Sequence, residues 1–176
     1  MLGMLKQVAP GVSRVAVVYN PDNISSAVYL RLSEDFARSL AIEFVLAAIH
    51  GIADLERVLE SIAQKGGGGA FFPADLTTIQ LRDQVIALVA RHPVPAIYTD
   101  RVFVTGGGLM SYDADRLDIY RRTASYVDRI LRGERPGELP FQQPTKYQLT
   151  INVKTAKALG LTLPPTLLAA ADEVIE

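Results

Sequence analysis

Short, strongly apolar runs alternate along this chain with segments whose apolar residues have a helical spacing, and this alternation restricts the fold more than any other feature. The first run, at residues 14–19, reads RVAVVY, which is β-branched and apolar on both faces. Such a run is typical of a parallel strand covered on both sides. Similar runs at 44–49, 70–72, 96–98 and 108–112 predict five strands in all.

The segments between these strands predict helices, because their apolar residues recur one helical turn apart. The recurring residues are Val28, Leu32, Phe36 and Leu40, then Leu55, Val58, Leu59 and Ile62, then Ile79, Leu81, Val85, Ile86, Leu88 and Val89. Strands that alternate with helices form parallel sheets with right-handed crossovers. We therefore predict an α/β fold, a three-layer, doubly wound parallel sheet of the flavodoxin-like kind. Such sheets bind ligands beyond the carboxyl ends of their strands, where the strand order reverses.

A long helix predicted at residues 114–131 carries two apolar stripes. The first contains Leu117, Tyr120, Ala124, Val127 and Leu131, and the second contains Ile119, Thr123, Tyr126 and Ile130. A helix that packs on one sheet needs a single stripe. The helix is therefore either buried deep in its own domain or packed partly on another lobe or subunit. Beyond it, an extended, proline-punctuated stretch precedes a predicted strand at 148–153 and a short helix at 154–159.

Composition excludes several classes of protein. The chain has 176 residues, enough for one α/β domain, and a formal net charge of -1. The sequence lacks the excess of Lys and Arg that is typical of proteins that bind nucleic acid or a membrane surface. The absence of cysteine excludes disulfides, zinc–thiolate sites and thiol nucleophiles. The first residues lack the long apolar segment of a signal peptide, so the fragment as given is expected to be cytoplasmic.

Polar residues follow the first predicted strand and open the first predicted helix. They are Asn20, Asn23, Ser25 and Ser26. A helix N-terminus presents unpaired amides and a positive dipole, which favour a ligand carboxylate. The alternative is ordinary N-capping, for which Asn and Ser are preferred. The two roles can coexist.

Four further residues near strand ends are candidates for ligand contact. Asp75 follows strand three and Asp100 follows strand four, so either could accept a ligand ammonium. Each could instead cap the helix or turn that follows it. Tyr98 and Tyr112 lie at strand ends, where their rings could stack against a flat apolar ligand or pack in the core.

No motif for catalysis, a metal or a cofactor is present in the sequence. The glycines at 66–69 follow a helix and precede a strand, the reverse of a phosphate-binding loop. His50 and His92 are the only histidines, and neither belongs to a spaced ligand pair. There is no G-x-S-x-G nucleophile elbow, and no acidic cluster and lysine of a phospho-receiver domain. We predict that the chain is not an enzyme and holds neither metal nor cofactor.

Four stretches of the chain resemble a known family. They are LKQVAPGVSRVAVVYNPDN at 5–23, PAIYTDRVFVTGGGLMSYDAD at 95–115, YRRTASYVDRILRGERPGELPFQQPTKYQLTINVKTAKALGLTLP at 120–164, and ADEVIE at 171–176. Together they resemble the ABC-transporter substrate-binding family of the tryptophan/tyrosine type, built on the type I periplasmic binding protein fold. The resemblance implies an extracytoplasmic, two-lobed receptor that closes on a small ligand and signals to an ABC permease.

The resemblance also implies an organisation for this chain. Family members are longer, and their first lobe and secretion signal have no counterpart here. We expect residues 1–112 to form one ligand-binding lobe, 113–135 to pack on the missing lobe or a partner subunit, and 136–176 to return and complete the lobe. The expected ligand is amino acid-like. Alternatively, the chain is a non-catalytic interaction module that forms a homodimer through the surface that would face the missing lobe.

The implied binding site uses the candidate residues above. The ligand carboxylate would lie near Ser25 and Ser26, and its ammonium would face Asp75 or Asp100. Tyr98 and Tyr112 would enclose its side chain. The missing lobe would supply the opposite face.

Overall fold

The computed structural model describes residues 1–23, 30 and 38–176. In these ranges the helices and strands are, in chain order, α1 (Leu2–Val8), β1 (Arg14–Tyr19), β2 (Glu43–Ala48), α2 (Ile52–Gln64), β3 (Gly68–Phe72), α3 (Leu76–Gln80), α4 (Arg82–Arg91), β4 (Ala96–Tyr98), α5 (Arg101–Thr105), β5 (Met110–Ala114), α6 (Arg116–Leu131), a 3₁₀ turn (Pro136–Glu138), β6 (Tyr147–Asn152), α7 (Val153–Ala158), α8 (Pro165–Ala169) and β7 (Glu173–Ile175). Most of the helix predicted from Val28, Leu32 and Phe36 lies outside the described residues.

The strands of these ranges form one seven-stranded sheet in the order β2-β1-β3-β4-β5-β6-β7. The first five are parallel, β6 is antiparallel to β5, and β7 is parallel to β6. The order 2-1-3-4-5 is that of flavodoxin-like sheets, and it reverses between β1 and β3. The predicted doubly wound α/β fold is therefore confirmed, with an antiparallel edge added by the tail.

Helices cover both faces of the sheet. Val15 and Val17 of β1 pack in a core with Leu5 of α1, whereas Ala16 and Val18 pack in a second core with α2 and α4. Successive residues of a strand point to opposite faces. A strand buried on both faces must be apolar throughout, which is why residues 14–19 show no polar alternation.

Several local features differ from the sequence-based expectations. Strand β5 begins and ends two residues later than predicted, at Met110–Ala114. The predicted third helix is two helices, α3 and α4, because the backbone departs from helical geometry at Leu81 (φ -94, ψ 14). The short strand β7 was not predicted.

The long helix α6 is exposed along its first apolar stripe. Leu117, Tyr120 and Leu131 of this stripe are 57%, 69% and 81% exposed, and Asp118 is the only buried residue of the helix. The second stripe lines a groove of about 500 Å³ against residues 136–144, which begin with the 3₁₀ turn. The interpretation in which α6 lies deep within its own domain is therefore wrong. No helix in the described ranges has both the length and the apolar character needed to cross a bilayer.

Candidate functional site

Three of the predicted site residues meet at the point where the strand order reverses. Asn20 and Asn23 follow β1, and Asp75 follows β3, which is the neighbour of β1. One Asp75 carboxylate oxygen, Oδ2, accepts hydrogen bonds from the Asn20 backbone N–H at 3.4 Å and from Asn23 Nδ2 at 3.0 Å. Asn20 Nδ2 also donates to Thr77 Oγ1 at 2.9 Å. Parallel neighbours end at one edge of a sheet, so the loops that follow β1 and β3 converge there.

The second oxygen of Asp75 caps helix α3. Asp75 Oδ1 accepts from the backbone N–H groups of Thr77 at 2.8 Å and Thr78 at 3.4 Å. The predicted cap is therefore confirmed. The side chain is only 3% exposed, and both oxygens are engaged by protein donors. In this conformation, a ligand ammonium would have to displace an existing bond to reach it. Ser25 and Ser26 lie outside the described residues.

A second group of charged residues surrounds a cleft of about 560 Å³ at the same edge, farther along the sheet. Asp100 caps α5 by accepting from Val102 N–H at 3.1 Å, and its other oxygen is paired with Arg116 at the start of α6. Arg101 is paired with Glu173 of β7 at 2.6 Å. That ion pair raises the pKa of Arg101 above its ordinary value.

Five carboxyl groups and only two guanidinium groups line this cleft. They belong to Asp100, Asp113, Asp115, Asp172 and Glu173, and to Arg101 and Arg116. The resulting excess of negative charge favours a cationic group in the cleft, since walls of low dielectric concentrate the field of the charges that line them.

Asp113 is a member of this cleft that the sequence analysis did not select. Its Oδ1 atom is buried and has no hydrogen-bond partner among the described residues. Burial raises the pKa of its carboxyl group, and the negative charge of Asp100 raises it further, while a backbone hydrogen bond from Arg101 opposes both effects. An acid with an unsatisfied oxygen is a typical candidate for a binding role. The only sign of Asp113 in the sequence is that an acidic residue stands in the stretch GLMSYDAD. The predicted strand ended one residue before Asp113.

The two tyrosines have different surroundings. The ring of Tyr98 is fully buried between Phe72 and Phe103, with centroid separations of 4.9 and 4.7 Å. It therefore belongs to the core and, in this conformation, cannot contact a ligand in the cleft. Tyr112 is partly exposed and stacks on Tyr147 at 5.4 Å, so this pair presents an aromatic surface at the rim of the sheet.

Polar loops gathered beyond the carboxyl ends of a doubly wound sheet define a domain of the α/β ligand-binding class. The chain belongs to the ABC transporter substrate binding protein family, whose family model matches residues 2–175. The resemblance found in the sequence is thus confirmed. Members of this family are substrate-binding components of transporters.

Individual relatives agree with this assignment. The chain is 21% identical over 160 residues to a tyrosine-binding protein of Clostridioides difficile (strain R20291), an alignment that covers 91% of this chain and 46% of that protein. A conserved domain protein of Vibrio cholerae has 28% identity and a TM-score of 0.87, with 98% of this chain and 58% of that chain covered. An ABC domain in complex with L-Trp from Streptococcus pneumoniae has 21% identity and a TM-score of 0.88, with 99% and 59% covered. The chain thus spans about half the length of the relatives it matches.

Proposed function

We propose that this chain forms one lobe of the solute receptor of an ABC importer and binds one side of a small amino acid at the carboxyl edge of its sheet. The observation that carries the proposal is the acidic cleft, in which the half-buried carboxyl group of Asp113 has an oxygen without a partner among the described residues. A ligand ammonium would satisfy that oxygen once the side chain turns it toward the cleft, because the atom is buried in this conformation. The proposed role is binding without catalysis, outside the cytoplasm and in cooperation with a membrane permease.

The geometry of an α-amino acid limits how it can lie across the sheet. Its carboxylate and ammonium are bonded to the same carbon, so both must be bound within about one strand spacing, about 4.8 Å. In a first pose, the carboxylate lies at Ser25 and Ser26 after β1, and the ammonium then faces Asp75. Asp100 follows β4, two strand positions from β1 and about 10 Å away, so it is out of reach in this pose. Asp113, on β5, is three strand positions from β1, about 14 Å away, and is out of reach.

In a second pose, the ammonium lies between Asp100 and Asp113 and the carboxylate pairs with Arg116. The side chain of Arg116 is 60% exposed, so it can turn toward a ligand. We favour this second pose because Asp113 has an oxygen without a partner among the described residues, whereas the protein's own donors already engage both oxygens of Asp75. Tyr112 and its partner Tyr147 do not line the acidic cleft and lie on the opposite face of the sheet from Asp113, so the second pose does not use them. In the first pose, Tyr112 stays a predicted aromatic contact, with Asn20 and Asn23 at the far end of the site.

Nuclear magnetic resonance titration with L-tryptophan and L-tyrosine tests the function and distinguishes the poses, because it detects the weak binding expected of a single lobe. We expect amide shifts confined to the loops that follow β1, β3, β4 and β5. The second pose predicts that Asp113→Asn removes these shifts, and the first predicts that Ser25→Ala with Ser26→Ala does so. Asp128→Asn, on the exposed part of α6, is the control. Titration with L-tryptophan to tens of millimolar and with L-tyrosine to its solubility limit, without any shift at the carboxyl edge of the sheet, would refute the function.

The exposed stripe of α6 supports the one-lobe organisation with its three parts, 1–112, 113–135 and 136–176. A row of apolar side chains such as Leu117, Tyr120 and Leu131 normally marks a contact surface. Since the matched relatives are about twice as long as this chain, we propose that the other lobe of the receptor covers α6.

The alternative occupant of the α6 surface is a second copy of the chain. Light scattering over a range of concentrations distinguishes the two, with Leu131→Glu as the test variant. A dimer that Leu131→Glu dissociates would support the homodimer for the isolated chain. A monomer at all concentrations would leave the other lobe as the proposed partner.

A further inference from the structure

Two glutamates and a histidine meet on the outer surface of the helical layer formed by α2 and α4. Glu56 and Glu60 lie on α2, and His92 directly follows α4. One donor atom of each side chain can be chosen so that all three lie within 4.8 Å of one another. We infer that Glu56, Glu60 and His92 form a binding site for a divalent cation of the zinc type.

The helices fix the backbone positions from which all three side chains extend. Residues four apart on a helix share a face, which places Glu56 directly beside Glu60. Helices α2 and α4 pack on each other through one apolar core that contains Leu59 and Leu88. The backbone of His92 is also held, because its N–H donates to the Leu88 carbonyl at 3.1 Å. The imidazole is therefore presented to the glutamates by a rigid support.

The donor set selects the kind of metal. Zinc is commonly bound by imidazole nitrogen and carboxylate oxygen at about 2.0–2.2 Å, and three protein ligands leave a fourth position for water. Those bond lengths require donor atoms about 3.5 Å apart, so the side chains would have to close by about 1 Å. Magnesium and calcium prefer sites made of oxygen ligands alone and are not expected here.

The charges around the cluster also favour a cation. Two carboxylates one helical turn apart repel each other, which destabilises a helix. The nearby Arg91 approaches Glu56 with Nη1 3.7 Å from Oε1, which is too long for a strong ion pair. A divalent ion between the carboxylates would relieve the repulsion more effectively than this exposed guanidinium does.

The other histidine provides a built-in control. His50 also lies near two carboxylates, but they face opposite sides of its ring, with Asp54 at 3.9 Å from Nδ1 and Asp22 at 3.9 Å from Nε2. One metal ion cannot bridge both carboxylates and a single ring nitrogen there. The chain contains no cysteine and no third histidine, so thiolate and other imidazole ligands cannot compete.

The location separates this site from the proposed amino acid site. His92 lies between α4 and the beginning of β4, and parallel strands begin at the edge of the sheet opposite to the carboxyl rim. A zinc ion there would connect α2 to α4. Because an ion that binds only the folded state stabilises it by mass action, zinc is expected to raise the melting temperature without occupying the amino acid site.

Titration of the 176-residue chain with zinc chloride tests the proposal. We expect one equivalent to bind, the melting temperature to rise, and the ¹⁵N imidazole signals of His92 to shift while those of His50 stay in place. Loss of an outer partner alone typically weakens a metal site about 10- to 100-fold, so His92→Ala and the double variant Glu56→Gln/Glu60→Gln should each weaken binding at least about tenfold. His50→Ala should bind zinc like the unmodified chain, and magnesium chloride should cause no shift.

All of the substituted side chains lie at the surface or half-buried, and circular dichroism of each variant confirms that it is folded. Equal zinc affinity in His92→Ala and in the unmodified chain would overturn the proposal, as would loss of binding in His50→Ala. Zinc binding to the cluster and amino acid binding at the rim are read from different residues, so the failure of one experiment leaves the other informative.

Discussion

Replacement of Asp75 with alanine is expected to lower the free energy of unfolding by about 2–4 kcal/mol. The cap on α3 contributes about 1 kcal/mol of this, because loss of an Asp cap typically costs about 0.5–2 kcal/mol. The bond from Asn23 Nδ2, at 3.0 Å, is made to a charged acceptor and contributes about 1.5–3 kcal/mol. The bond from the Asn20 backbone is 3.4 Å long and adds little.

Replacement with asparagine separates the two contributions. Asparagine keeps one oxygen for the cap but directs an amide NH₂ group at Asn23, so we expect about half the loss seen for Asp75→Ala. Urea unfolding followed by circular dichroism measures both variants, and a double-mutant cycle with Asn23→Ala isolates the pairwise energy. If Asp75→Ala lowers the unfolding free energy by less than about 0.5 kcal/mol, the carboxylate does not hold the loops of β1 and β3 together and the reasoning is refuted.

Three further substitutions test the packing and the charges. Gly68→Ala should cost about 1–3 kcal/mol, because its Cβ would lie 2.6 Å from the Ile62 carbonyl oxygen, whereas Gly3→Ala meets no atom within 4 Å and should not destabilise the chain. Tyr98→Phe removes a buried hydroxyl that has no partner among the described residues, so the unfolding free energy should stay within about 1 kcal/mol or rise, and a larger loss would reveal a hidden partner. Asp113→Asn should stabilise the chain at pH 7 but not below the ordinary pKa of a carboxyl group. The raised pKa means that the folded state holds this proton longer than the unfolded state, so stability falls as the pH rises through that interval. Urea titrations at acidic and neutral pH measure this difference, and equal differences at both would contradict it.

The strands were predictable from sequence where burial on both sheet faces leaves a continuous apolar run. Residues 14–19 were predicted as a strand with the bounds that the structure shows. Strand β7 could not be predicted, because three residues at the edge of a sheet carry too little periodicity to separate them from a turn. The sequence pattern does not indicate the break between α3 and α4 at Leu81 either, because the apolar spacing continues across it.

Part of the candidate site was predictable, because the loops that follow neighbouring parallel strands meet at one edge of the sheet. The meeting of Asn20, Asn23 and Asp75 follows from the strand order, which the alternation of elements indicates. The role of Asp113 depends on how far β5 extends, and residue patterns locate strand ends poorly. The cluster at His92 joins two glutamates of α2 to a histidine that follows α4 more than 30 positions later, and no spacing in the sequence signals it.

In the proposed receptor, the charged cleft lies where a bound ligand would influence the other lobe. Arg116, the first residue of α6, is paired with Asp100 inside the cleft. In the proposed second pose, a ligand ammonium that engages Asp100 would weaken this pair, and a ligand carboxylate would compete for the guanidinium itself. Either event acts on the beginning of the helix whose exposed stripe we propose to face the other lobe. Because a ligand shifts a conformational equilibrium only by its difference in affinity for the two states, closure of the lobes requires that these contacts be stronger in the closed form. The Asp100–Arg116 pair is therefore the place at which ligand chemistry and lobe closure would be coupled.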